Sequence, residues 1–296
     1  MAAILMLVAG GLLCGSAIAE NFSLSMSGGR IDVEILAGER TVSDADIIEW
    51  VETSAAAVSA YYERFPVEHM RLRIAASRGR TIRGTTWGGA VPFIRIMLGN
   101  LTSAETLKQD WRLTHEMVHL AFPELDGRHR WLEEGLATYV EPVARVRNGQ
   151  LSESELWQRL LEGLPRAVAA GSAGRLDTRN DWANTYWGGA LFCLLADIDI
   201  RRRSGNRLGL RDALAGVLAA GGDIRQQWSI IHSLRQADDA IGMPALSELY
   251  ASMATSERKV NLSALWAQLG VSMLSGQVRF DDSAPLAEIR QRIFAQ

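Results

Sequence analysis

Near the middle of the chain, His115-Glu116-Met117-Val118-His119 sets two imidazoles four positions apart, with a carboxylate directly after the first. The run lies within Trp111–Phe122, whose apolar residues recur with helical spacing. On a helix, positions i and i+4 share a face, one turn from each other. Two imidazoles so placed can reach one metal ion from the same side, and Glu116 can then accept a proton from an activated water. The chain has only five histidines, so chance is a poor account of the spacing.

Catalytic zinc takes three protein ligands and keeps one position open. Pro123–Arg128 ends the first helix, and a second helical stretch, Trp131–Tyr139, follows it. A carboxylate there can fold back toward the first helix. Glu133 and Glu134 stand side by side and point about 100° apart on a helix, so only one of them faces the metal. Leu132, Leu136 and Tyr139 share one apolar face, while Glu134, Thr138 and Glu141 share another. A ligand with hydrogen-bonding companions one and two turns on is what a supported site requires. This favours Glu134, with Thr138 and Glu141 as its companions.

His-Glu-x-x-His followed by Trp131-Leu132-Glu133-Glu134-Gly135-Leu136-Ala137-Thr138-Tyr139 resembles the gluzincin zinc metallopeptidases, the superfamily of thermolysin, aminopeptidase N and the glycyl aminopeptidases. The resemblance implies an α+β, thermolysin-like metallopeptidase domain. It implies zinc held by His115, His119 and Glu134, and Glu116 as general base in hydrolysis of a peptide or protein substrate. The spacer 120–133 is short, as in the compact peptidase-MA-like members. Thr185-Tyr186-Trp187-Gly188-Gly189-Ala190 is similar to the Y-x-K-G-A segment of the same families, which implies that Tyr186 steadies the oxyanion; their Lys is Gly188 here. Aminopeptidase N carries G-A-M-E-N upstream, with a Glu that binds the substrate amine. The matching stretch, Trp87-Gly88-Gly89-Ala90-Val91-Pro92-Phe93, has no such Glu. Aminopeptidase and endopeptidase action therefore both stay open. A catalytically weak or inactive peptidase-like binding module is the second reading.

The elements that must position these residues divide the chain. Ile31–Leu36, Arg71–Ala76 and Phe93–Leu98 alternate apolar and polar residues and read as strands. Gly79–Gly89 between them reads as a loop feeding an edge strand. Ser43-Asp44-Ala45-Asp46 opens a helix that stops before Pro66. From Ser103 onward helical patterns dominate, at about 104–122, 130–147, 153–170, 184–203, 209–220, 223–237, 244–256 and 262–269, then a short strand Val278–Phe280 and a helix from Ala284. The expectation is a small mixed sheet over about 20–100 followed by a mostly helical body over about 101–296, together one domain.

Residues Ala2–Leu13 are apolar and uncharged, and Ala17-Ile18-Ala19 supplies a small-x-small cleavage pattern. This predicts a signal peptide over 1–19, export to the periplasm or the outside, and no stable membrane insertion after cleavage. Cys193 would then be the one cysteine left, inside an apolar run. The net charge of −3 and the lack of a basic–aromatic ladder in the sequence argue against nucleic acid as a partner. Among the other histidines, His129 is expected in a surface turn, and His69 and His232 in ordinary amphipathic contexts. Arg201-Arg202-Arg203 is expected as a solvated helix C-terminus.

Overall fold

The computed structural model describes residues 20–169, 174–178, 181–256 and 259–295. The expected signal peptide, 1–19, lies outside them. The chain packs as two compact units: one runs to Ala121 and takes in Asp223–Gln226, the other is Phe122–Gly222 with Gln227–Gln296. A small mixed sheet followed by a mostly helical body is the observed α+β architecture.

The first unit is built on strands β1 (Glu20–Met26), β2 (Gly29–Ile35), β3 (His69–Ser77), β4 (Arg83–Trp87) and β5 (Phe93–Gly99), in spatial order β1-β2-β3-β5-β4. β1 and β4 pair antiparallel with their neighbours; β2, β3 and β5 are parallel. The alternation read from the sequence decides the faces. Ile31, Val33, Ile35, Leu72, Ile74, Ile94 and Ile96 are buried. Each such side chain contributes about 1.5–3 kcal/mol on leaving water. The opposite face carries Arg71, Arg73 and Arg95 against the rings of Phe93 and Trp87, a basic–aromatic cluster that the linear sequence hides.

Helix α1 (Asp44–Tyr62) crosses from β2 to β3 and buries Ile47, Val51, Ala55 and Val58. Its start follows the sequence expectation: the Ser43 hydroxyl accepts from the Asp46 amide, and the Asp46 carboxylate accepts from the Ser43 amide. The helix expected over 104–122 is broken in two, α2 (Ala104–Gln109) and α3 (Arg112–His119). Asp110 causes the break. Its backbone is extended, and its carboxylate accepts from the Arg112 amide at 2.8 Å, starting α3 afresh. At the far end, the Ile224 amide donates to the Leu120 carbonyl at 3.2 Å.

The second unit holds α4 (Arg130–Arg147), α5 (Glu153–Ala169), α6 (Gly189–Ser204), α7 (Leu210–Ala219), α8 (Ile230–Ile241), α9 (Ala245–Met253), α10 (Leu262–Leu269), the hairpin β6 (Val271–Leu274) with β7 (Gln277–Phe280), and α11 (Ala287–Arg292). The helix expected over 184–203 opens with a π-helical turn, Ala183–Gly188. That over 223–237 begins later, because the Ser229 hydroxyl caps α8 by accepting from His232. No helix among the described residues is long and apolar enough to cross a membrane.

Candidate metal centre

Helix α3 carries the first half of the predicted site. His115 is buried and His119 half-buried. Their rings meet edge to face with centroids 5.1 Å apart, the separation that one helical turn dictates. Trp111 packs against the other side of His115, centroids 5.3 Å apart.

Glu116 projects toward the edge strand β4. The Thr86 hydroxyl lies 2.6 Å from Glu116 Oε2 and 3.0 Å from the Glu116 carbonyl. Gly84 makes room for the same side chain: a Cβ there would fall 2.7 Å from Oε1. The linear sequence points to neither residue. The only linear signal is a Gly-Thr-Thr run in a segment read as loop, whereas the contact spans thirty positions.

Helix α4 carries the second half. Glu134 is buried, and Arg130, one turn before it, donates to its Oε1 from Nη2 at 3.1 Å and from Nε at 3.3 Å. The neighbouring carboxylate faces elsewhere: Glu133 accepts the Leu125 amide at 2.8 Å and fixes the turn that leads into α4. Burial pushes the Glu133 carboxyl up to about 7, outweighing that hydrogen bond. Glu141 is bonded to Arg145 at 3.0 Å and lies 3.5 Å from Arg159, which ties α4 to α5. The Thr138 hydroxyl is buried without a hydrogen-bond partner among the described residues.

Tyr186 sits in the π-helical turn and stacks on Trp182, centroids 5.6 Å apart. Turns of this type recur at functional sites. His129 differs from expectation. It is buried, 3.5 Å from Asp177, and burial lowers its pKa. Asp177 also accepts from Trp131 Nε1 at 2.9 Å and from the Tyr250 hydroxyl at 2.5 Å, so a residue expected on the surface belongs to a buried polar cluster. Arg201 is buried as well, donating to Asp197 at 2.9 Å, where a solvated helix end was expected. Cys193 is buried, and burial pushes its thiol well up.

Among the described residues, the His, Cys, Asp and Glu side chains that could together hold a metal ion are His115, His119 and Glu134. Two imidazoles and one carboxylate form a donor set that suits zinc and leaves a fourth position open.

The fold is similar to that of part of the M1 zinc metallopeptidases. The aminopeptidase N family protein of Idiomarina loihiensis superposes with a TM-score of 0.61 at 16% identity, covering 86% of this chain and 49% of its own. The M1 zinc metallopeptidase of Deinococcus radiodurans gives 0.52 at 17% identity, covering 82% and 52%. A mutant of that enzyme bound to a Tyr-Ser-Ala substrate gives 0.51 at 16% identity, covering 82% and 53%. This chain thus spans about half the length of the structures it resembles. No protein-family model matches the sequence, and no curated protein matches it.

Proposed function

We propose that this chain is an exported, zinc-dependent peptidase, with His115, His119 and Glu134 holding the ion. The observation that carries the reading is the geometry of α3: two imidazoles one turn apart, and between them a carboxylate held by Thr86. The shared fold with M1 zinc metallopeptidases supports it.

Bound zinc would polarise the scissile carbonyl and acidify the attacking water. Glu116 takes the proton from that water and returns it to the departing amine. The Thr86 hydroxyl fixes the carboxylate rotamer, so the base does not have to be oriented anew in each cycle. Tyr186 donates its hydroxyl to the oxygen on which negative charge develops.

Metal analysis of the purified protein beside His115→Ala and Glu116→Gln tests this. About one zinc per chain is expected, lost in His115→Ala and kept in Glu116→Gln. Glu116→Gln is expected to lose nearly all peptide hydrolysis. A folded protein without tightly bound metal would overturn the reading. Zinc binding with no hydrolysis of any peptide would leave a peptidase-like binding module. For export, N-terminal sequencing of the secreted protein should start at Glu20.

A further inference from the structure

The second unit contains an open cavity of about 370 Å³, bounded by the turn before α4, the first residues of α4 and the π-helical turn. Arg128, Arg130, Trp182, Thr185 and Tyr186 help to line it. Among its described lining residues two are cations and none is an aspartate or glutamate.

Both guanidinium groups have donors to spare. Arg130 uses Nε and Nη2 on Glu134, while its Nη1 has no hydrogen-bond partner among the described residues. Its side chain is 67% exposed. Among the described residues Arg128 has one ion pair, with Asp126 at 3.8 Å, beyond hydrogen-bond length. A third cation stands close by, with the Arg166 guanidinium 6.0 Å above the Trp182 ring. Unfilled Arg donors in a part-enclosed site favour a planar anion, because the fork of N–H groups matches two carboxylate oxygens. The stacked Trp182 and Tyr186 rings add an apolar wall for the stem that carries it.

We propose that this cavity receives a carboxylate of the substrate, with Arg130 as the specificity-determining residue. The proposal rests on the peptidase reading, because it takes Glu134 as a zinc ligand and Tyr186 as the oxyanion donor. Arg130 touches the first, and Tyr186 lines the same cavity. A peptide offers two sources of carboxylate, its C-terminus and an acidic side chain.

Calorimetric binding to zinc-loaded Glu116→Gln protein separates them. The probes are Ala-Ala-Ala-Ala, its C-terminal amide, and the amide of Ala-Ala-Glu-Ala. One of the two carboxylate-bearing peptides is expected to bind about ten-fold or more tightly than the neutral amide. Measured at saturating zinc, adding Arg130→Gln should erase that preference, and Arg130→Lys should keep part of it. Arg128→Gln should weaken the same peptide by a smaller factor. Equal binding of all three peptides, with or without Arg130, would overturn the pocket and leave the peptidase reading standing. No binding of any peptide to folded, zinc-loaded protein would overturn both.

Discussion

Gly135 and Gly189 meet backbone to backbone where α4 crosses α6. A Cβ at Gly189 would fall 2.7 Å from Gly135 Cα and would collide with the Trp131 carbonyl oxygen. A Cβ at Gly135 would sit 2.9 Å from the Ala190 amide. The glycine after Glu134 and the glycine three positions after Tyr186 therefore form one joint. It sets the π-helical turn against the helix that carries Glu134.

Gly189→Ala is accordingly expected to destabilise the protein by about 1–3 kcal/mol or more, since the obstacle is backbone that cannot swing aside. Urea unfolding measures this. A midpoint equal to wild type would show that the crossing relaxes easily.

Thr86→Val removes the hydroxyl on Glu116 while keeping its shape. Hydrogen bonds to charged groups are worth about 1.5–3 kcal/mol. Peptide hydrolysis should therefore fall roughly ten-fold or more in kcat, with KM and zinc content little changed. Thr86→Ser should restore most of it. A loss confined to KM would place the role of Thr86 elsewhere.

Asp177 is a hub for Trp131 and Tyr250 beside buried His129. Asp177→Ala would strand an indole N–H and a phenol and is expected to cost about 2–4 kcal/mol. Asp177→Asn, which keeps an acceptor, should cost less. Thermal unfolding of the two variants distinguishes them; equal losses would mean that charge, rather than hydrogen bonding, matters at this position.

Asp32 gives the sheet an acid-sensitive point. Burial alone would raise its pKa, but hydrogen bonds from Ser23, Arg30 and His69 outweigh it and hold the carboxyl down at about 2, against 3.8 unperturbed. A group whose folded pKa is depressed stabilises the fold above its unfolded pKa and loses that contribution as pH falls through the folded value. Wild type should therefore lose this contribution between about pH 4 and pH 2, whereas Asp32→Asn should lack it already at pH 7. Unfolding free energies at a series of pH values test the difference between the two curves.

The helical body was largely legible. α4 runs over 130–147 and α10 over 262–269, as the apolar periodicity indicates. Local side-chain chemistry decided where expectation and structure part. Asp110 ends one helix and starts another, and Ser229 delays α8. β1 is not legible in the sequence because its residues are mostly polar, with Leu24 alone buried; only its pairing with β2 makes it a strand. The pairing of His115 with His119 could be read because both imidazoles lie within one helical turn. Thr86 and Gly84 could not, since a strand far away in sequence brings them to Glu116. Arg130 was hidden for another reason: charge one turn before a carboxylate is common on helices, and only the cavity gives it a role.

The bond from Ile224 to Leu120 has a consequence for synthesis. Residues Asp223–Gln226 belong to the unit that otherwise ends at Ala121. A nascent chain can assemble the sheet and α3 early, and the Leu120 and Ala121 amides close the helix end locally, yet the Leu120 carbonyl gains the Ile224 amide only once residue 224 has left the ribosome. That bond thus forms late, after α4, α5, α6 and α7 have been made. A chain cut short before that point keeps both histidines but lacks the strap that holds the Leu120 carbonyl beyond them.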